Sequence, residues 1–338
     1  MFTRRQLLLA ACFDAGCGRA DASHRAASYL WTRQARDGGW HSETYGLLRS
    51  GQSLTGLVLD TLLQASPSAP AAGAEKAVAF LRRHTDAEGC LGRSDNAAFD
   101  YPNYATALMI LSLARMNRST PDITRYLRSQ QFAAENGWSR DHLVYGAWGV
   151  GGQRRIPPHT GHVDLSMTRH VLQALAAAGA AANDPAFVAA RVFVERCQNP
   201  DGGFFFSTVV EEANKAGSHH GRYLSYGSAT ADGLLCLLAM QDRMHSDRVR
   251  AAVRWIRQNH IEDRVPGFDA HPDRRWEVGL AYYYAAASNE AFRLLGMEPP
   301  PHRALSRQRA DGSFANPEGL VKEDDPLIAT ALALRALR

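Results

Sequence analysis

The chain alternates two kinds of apolar segment. "SHRAASYLWTR", "AEKAVAFLRR", "PDITRYLRSQ", "PAFVAARVFVER", "DRVRAAVRWIR" and a short "PHRALSR" space their apolar residues three and four apart and carry charge on the other side. This is the pattern of helices buried on one face. Between them lie "SLTGLVLDTLLQA", "YATALMILSLARM", "DLSMTRHVLQALAAAG", "SATADGLLCLLAM", "VGLAYYYAAA" and "PLIATALALRAL", which are apolar nearly all round. A helix of that kind must be covered on every face. Half-buried and fully buried helices in sixfold alternation close most simply into two concentric rings. The pattern therefore predicts an all-α fold, an α/α toroid of six helical hairpins with the apolar helices inside. An open solenoid would leave the inner helices half exposed.

The punctuation between the two kinds of helix repeats as well. "QARDGGW" (34 to 40), "QNPDGGF" (198 to 204) and "QRADGSF" (308 to 314) share a Gln, a Gly four residues on and an aromatic two residues later. Looser copies stand at "HTDAEGCL", "QFAAENGW" and "QNHIEDRVPGF", which makes six units over the chain. The Q-x-x-x-G-x-[W/F] copies resemble the QW repeats of squalene and oxidosqualene cyclases, and the six-pair layout is similar to that of protein prenyltransferase β-subunits. The resemblance covers residues 23 to 338, read as a single toroid domain. It implies that Gln34, Trp40, Gln198, Phe204, Gln308 and Phe314 tie adjacent helices together.

Composition narrows the partners. With 45% apolar residues in 338 and a net charge of +4, the chain can bury a large core. Its Arg and Lys are dispersed, with no aromatic-studded basic tract, so nucleic acid is not an expected partner. The first 22 residues read as an export leader: Arg4 and Arg5 resemble a twin-arginine signal, "LAAC" ending at Cys12 a lipoprotein box and "ADA" ending at Ala22 an ordinary cleavage site. The expected location is exported, periplasmic or lipid-anchored, and no later run is long enough to span a membrane. Cys90, Cys197 and Cys236 have no C-x-x-C spacing and read as buried thiols. G-x-x-x-x-G-K-[ST], H-E-x-x-H, G-x-S-x-G and a complete G-x-G-x-x-G are all missing, so no cofactor is expected. The sequence leaves the oligomeric state open.

Two connections, roughly 139 to 163 and 205 to 227, are longer than a compact domain needs. Outer-to-inner loops of a toroid share one rim, so these two should lie side by side over inner helices three and four. They carry Trp148, Arg154, Arg155, His159, His162, Lys215, His219, Arg222 and Tyr226, a basic and aromatic set suited, with the helix N-termini, to an anionic head group. The resemblance implies a prenyl diphosphate or another isoprenoid whose apolar tail enters the lumen. Asp232, about one turn inside a helix capped by Ser228, is the first candidate acid. Arg169 on the neighbouring helix is its expected ion-pair partner if its role is structural. Trp276 and the tyrosines 282 to 284 are candidate cation-stabilising aromatics, of which at most two can face the lumen. His159, His162 and Asp164 have a spacing able to hold zinc, against Asp164 as a helix cap. The prenyltransferase zinc pattern departs here, because Leu234 stands where its Cys belongs.

"KEDDPL" (322 to 327) places three acids before the last inner helix and departs from the D-x-D-D-T-A that class II cyclases carry. Asp325 followed by Pro326 reads as a helix start, and Asp324 is a second candidate acid. Three readings remain open: a terpene-cyclase-like or isoprenoid-transferring enzyme; a non-catalytic exported toroid holding an apolar ligand or a protein; and a carbohydrate-active barrel using Asp232 with Asp324 or Glu211.

Overall fold

A computed structural model describes residues 4–65, 70–94, 99–268 and 274–338, with side chains from residue 18 onward. The side chains of Arg4, Arg5 and Cys12 in the leader lie outside the described residues. Among the described residues there are twelve α-helices. Those of the inner ring are α2 (Gln52–Ala65), α4 (Pro102–Arg115), α6 (Leu165–Ala177), α8 (Gly227–Ala239), α11 (Ala281–Leu294) and α12 (Pro326–Leu337). Each packs on the next, and α12 returns to α2, which closes the ring. The outer helices are α1 (Arg4–Thr32), α3 (Ala71–Arg83), α5 (Pro121–Ser129), α7 (Pro185–Arg196) and α9 (Asp247–Asn259). The sixth outer element is only a 3₁₀ turn, Arg303–Ser306, as the shortness of its apolar segment foreshadows. A four-residue α10 (Trp276–Gly279) and a small hairpin, β1 (Ser218–His219) with β2 (Arg222–Tyr223), complete the described structure.

The glutamines join repeats. Gln34 Nε2 donates to Gly38 O at 2.9 Å and to Gly73 O at the start of α3 at 2.8 Å. Gln198 does the same to Gly202 O and Arg248 O. Gln308 reaches Gly312 O and Ala22 O, both at 2.9 Å, so the last repeat is tied to α1. Each glycine is needed because the following outer helix crosses at its Cα. A Cβ on Gly312 (φ +89) would stand 2.5 Å from Arg25 O, and an L residue is also strained at that φ.

The third copy departs from the sequence reading. Gln131 donates to Gly146 O and Ala186 O, both at 2.9 Å, and a Cβ on Gly146 would lie 1.9 Å from Ala189 O. The landmark pair is thus Gly146 and Trp148, separated from Gln131 by an insertion, and not the Gly137 and Trp138 of "QFAAENGW". Trp148 is fully buried. Its amide donates to Thr168 Oγ1 at 3.2 Å and its indole to Leu127 O at 2.7 Å, just as Trp40 bonds Thr55 Oγ1 and Leu30 O. Trp148 is a packing residue of the ring, and its expected place among the ligand-binding aromatics is corrected.

Two charged networks join all six inner helices. Asp60 on α2 meets Arg115 of α4 and Arg335 of α12, each at 2.6 Å. Asp232 on α8 meets Arg169 Nη1 of α6 at 2.9 Å and accepts from Tyr283 Oη of α11 at 2.8 and 3.0 Å. Asp60 and Asp232 are both fully buried, so each depends on its partners. The inside of the ring is therefore not uniformly apolar. Cys90, Cys197 and Cys236 are buried free thiols, and no described helix is long and apolar enough to cross a membrane.

Candidate functional site

A cavity of about 520 Å³ opens at the end of the ring where the inner helices begin, within the size range of small-molecule sites. Leu54, Leu57, Met167, Ile328 and Leu332 supply much of its apolar wall. Leu332 is the seventh residue of α12, so the wall reaches about 9 Å along that helix at ~1.5 Å per residue. Tyr101, Tyr104, Phe206, Tyr226 and Tyr283 add aromatic surface. The two long connections do lie together here: Leu165 N donates to Phe206 O at 2.9 Å, and Thr208 Oγ1 to Leu143 O at 3.0 Å.

The expected rim residues divide. Lys215, His162, Tyr226 and Tyr283 line the cavity. Arg154, Arg155, His159, His219 and Arg222 are exposed and lie off its wall, because the loop segments that carry them turn outward to water. Trp276 is off the wall as well, packed over the Lys215 ammonium at 5.5 Å. Of the three tyrosines only Tyr283 faces the cavity. Tyr282 packs edge-on to Phe314 and Tyr284 to His302.

Asp164 is the N-cap of α6, accepting from Met167 N at 2.7 Å, and it also holds His162 Nε2 at 2.8 Å. That bond raises the His162 pKa. His159 is exposed, and among the described residues no group of three or more His, Cys, Asp and Glu is placed to hold a metal. Ser228 is the second residue of α8 and not its cap; Tyr226 precedes the helix without a side-chain capping bond.

Asp232 is withdrawn from the cavity. Burial pushes its carboxyl up to about 6, against the opposing pull of Arg169 and Tyr283, which leaves it ionised at neutral pH. Tyr283 is the member of this group that reaches both ways: it lines the cavity and donates to Asp232, while its oxygen pairs with Ser166 Oγ at 2.7 Å. Neighbouring His170 bonds Arg169 through Nε2 and Ser166 O through Nδ1. Burial and the Arg169 charge depress its pKa far enough to keep it neutral.

The acids of "KEDD" face different ways because Lys322 sits at φ +66, a conformation that is costly for a residue with a Cβ. Asp325 caps α12 by accepting from Leu327 N at 2.9 Å. Asp324 points away from the cavity to the Tyr45 hydroxyl, which removes it as a candidate acid. Glu323 turns inward, is fully buried and lines the cavity. Its carboxyl accepts from Tyr283 N at 2.7 Å, Tyr282 N at 3.0 Å and Asn316 Nδ2 at 2.8 Å. Among the described residues no cation is paired with it. Burial therefore outweighs these donors and pushes its pKa up to about 7.

No family model matches the sequence, and no curated protein matches it either. Solved structures do match. A protein from Actinoplanes is 17% identical over 95% of this chain and 98% of its own, with a TM-score of 0.58. The type II terpene cyclase MstE from Scytonema, in a variant holding its substrate geranylgeranyl dihydroxybenzoate, is 13% identical over 96% and 97%, at 0.60. A variant of the same enzyme holding its product, merosterolic acid A, is 12% identical over 96% and 97%, at 0.56. These likenesses establish a terpene-cyclase-like all-α fold.

Proposed function

We propose that this chain is a protonation-initiated isoprenoid cyclase in which Glu323 is the acid. The observation that carries the proposal is a buried carboxyl without a cation on the wall of an apolar, aromatic-lined cavity. A group with a pKa near the working pH is held protonated often enough to donate. Its proton adds to the terminal alkene of a polyprenyl chain, leaving a tertiary carbocation on the neighbouring carbon. Successive π bonds then attack to close rings, and a final proton loss restores neutrality. Tyr104, Tyr226 and Tyr283 line the cavity, and aromatic surface of that kind favours such cations. The amides of Tyr282 and Tyr283, the second and third residues of α11, are free to stabilise the carboxylate left behind. The terpene-cyclase-like fold of the neighbours supports the same reading.

A second reading has its own observation. By accepting from those two amides, Glu323 also serves as a cap for α11 supplied from another repeat, which by itself suits a non-catalytic toroid holding an apolar ligand. The pH profile separates the two. An acid must be protonated to act, so kcat/KM should be level below about pH 6 and fall about tenfold per unit well above pH 7, following the pKa of about 7. Turnover that rises with pH would remove Glu323 as the acid, and absence of turnover at every pH would favour the binding toroid.

A further inference from the structure

We propose that His162, held by Asp164, is the base that takes the final proton of the cyclisation, across the cavity from Glu323. The assignment rests on the cyclase reading and names the residue that ends the reaction Glu323 begins. In the ring order α2, α4, α6, α8, α11 and α12, with α12 returning to α2, α6 stands three places from α12 in either direction. The two therefore face each other across the cavity. His162 lies two residues ahead of Asp164, the N-cap of α6, and Glu323 two residues ahead of Asp325, the N-cap of α12. Acid and base thus hold equivalent positions in opposed repeats, and both line the cavity. The residue after His162, Val163, is fully buried, pairs with Gly149 in an antiparallel bridge and accepts from Ser207 Oγ through its carbonyl. His162 is presented from anchored backbone.

A cyclised carbocation is quenched when a neighbouring C–H bond gives its electron pair to a new alkene and its proton to a base, and the position of that base decides which C–H bond breaks. His162 offers the lone pair. Asp164 accepts at Oδ1 from Met167 N and at Oδ2 from His162 Nε2, at 2.7 and 2.8 Å, so the imidazole hydrogen is assigned to Nε2 and Nδ1 is left as the acceptor. The same carboxylate stabilises the imidazolium that forms when the proton arrives. With a side chain 45% exposed, His162 can then pass the proton to water. Among the described residues the wall's remaining carboxylates do not compete: Asp164 is engaged by these two donors, and Glu212 is exposed at the mouth. The bond to Asp164 raises the His162 pKa, while burial and the Lys215 charge oppose it. Arg155 is the further charge beside it, its Cζ 3.3 Å from where a Cβ on Gly161 would stand.

Product analysis of the full chain with farnesyl and geranylgeranyl alcohols and acids, between about pH 5 and 8, tests the assignment. The readout is the ratio of the main cyclised alkene to its double-bond isomers and water-trapped alcohols. In the unaltered protein that ratio should rise with pH through a midpoint above the ordinary His range, because only the neutral imidazole accepts a proton. His162→Gln should lower the ratio at the alkaline end by at least about threefold and make it level with pH. Asp164→Asn keeps a capping side chain but removes the carboxylate, so the midpoint should move down. A ratio that does not move with pH in the unaltered protein would overturn the assignment even if His162→Gln changes it, since a packing role would do as much. An unchanged ratio in His162→Gln would overturn it too. Either result leaves the cyclase reading standing, whereas no cyclised product from any of these substrates would sink both.

Discussion

Glu323→Gln is expected to lower turnover of an isoprenoid substrate by about 10³-fold, within the range set by removal of a general acid, while the protein stays folded. Gln matches Glu in size and keeps a carbonyl acceptor for one of the α11 amides, but it has no proton to give to an alkene. The measurement is single-turnover product formation beside thermal unfolding of the same preparation. Activity within tenfold of the unaltered protein would reduce Glu323 to a cap. So would a loss of activity explained entirely by unfolding.

The second large effect concerns stability. Asp232→Leu leaves Arg169, 3% exposed, without its carboxylate, and removing one partner of a buried pair costs about 3–5 kcal/mol. The denaturant midpoint should fall accordingly. Adding Arg169→Met should recover most of that loss. Because burial raises the Asp232 pKa to about 6, the folded state binds this proton more tightly than the unfolded chain. The resulting stability is present below the ordinary Asp range and is lost as pH rises through about 6. At pH 7 to 8 the double variant should therefore be at least as stable as the unaltered protein. An Asp232→Leu variant of full stability that has lost turnover would instead return Asp232 to the chemistry.

The ring could be read from the sequence because its signals are local. Helices apolar on all faces, alternating with one-sided helices, have few other ways to be buried, and the Gln and Gly landmarks recur with them. The third landmark is the exception, because an insertion parts Gln131 from Gly146 and contains a decoy, Gly137-Trp138. The signal that marks the true aromatic is a threonine near the start of the next inner helix, such as Thr55, Thr168, Thr230 or Thr330, which accepts the landmark amide.

The site was harder to read, for physical reasons. Asp232 and Arg169 were legible as a pair because both interrupt apolar helices one turn in. Which of three consecutive acids faces the cavity depends on the positive φ of Lys322, and a Lys gives no hint of it. Only composition points to the rim arginines, and loop residues choose water unless packing prevents it. Lys322 and Tyr101 meet only through ring closure, across 221 residues, and no periodicity announces that.

The central claim is proton donation from Glu323 to an alkene, and turnover in deuterium oxide tests it most directly. With a geranylgeranyl substrate in D₂O, the account predicts a cyclised isomer of the substrate carrying one non-exchangeable deuterium at what was the CH carbon of the terminal alkene, with no such product from Glu323→Gln. Recovery of unlabelled substrate, or a product formed by loss of the head group without deuterium at that carbon, would contradict it.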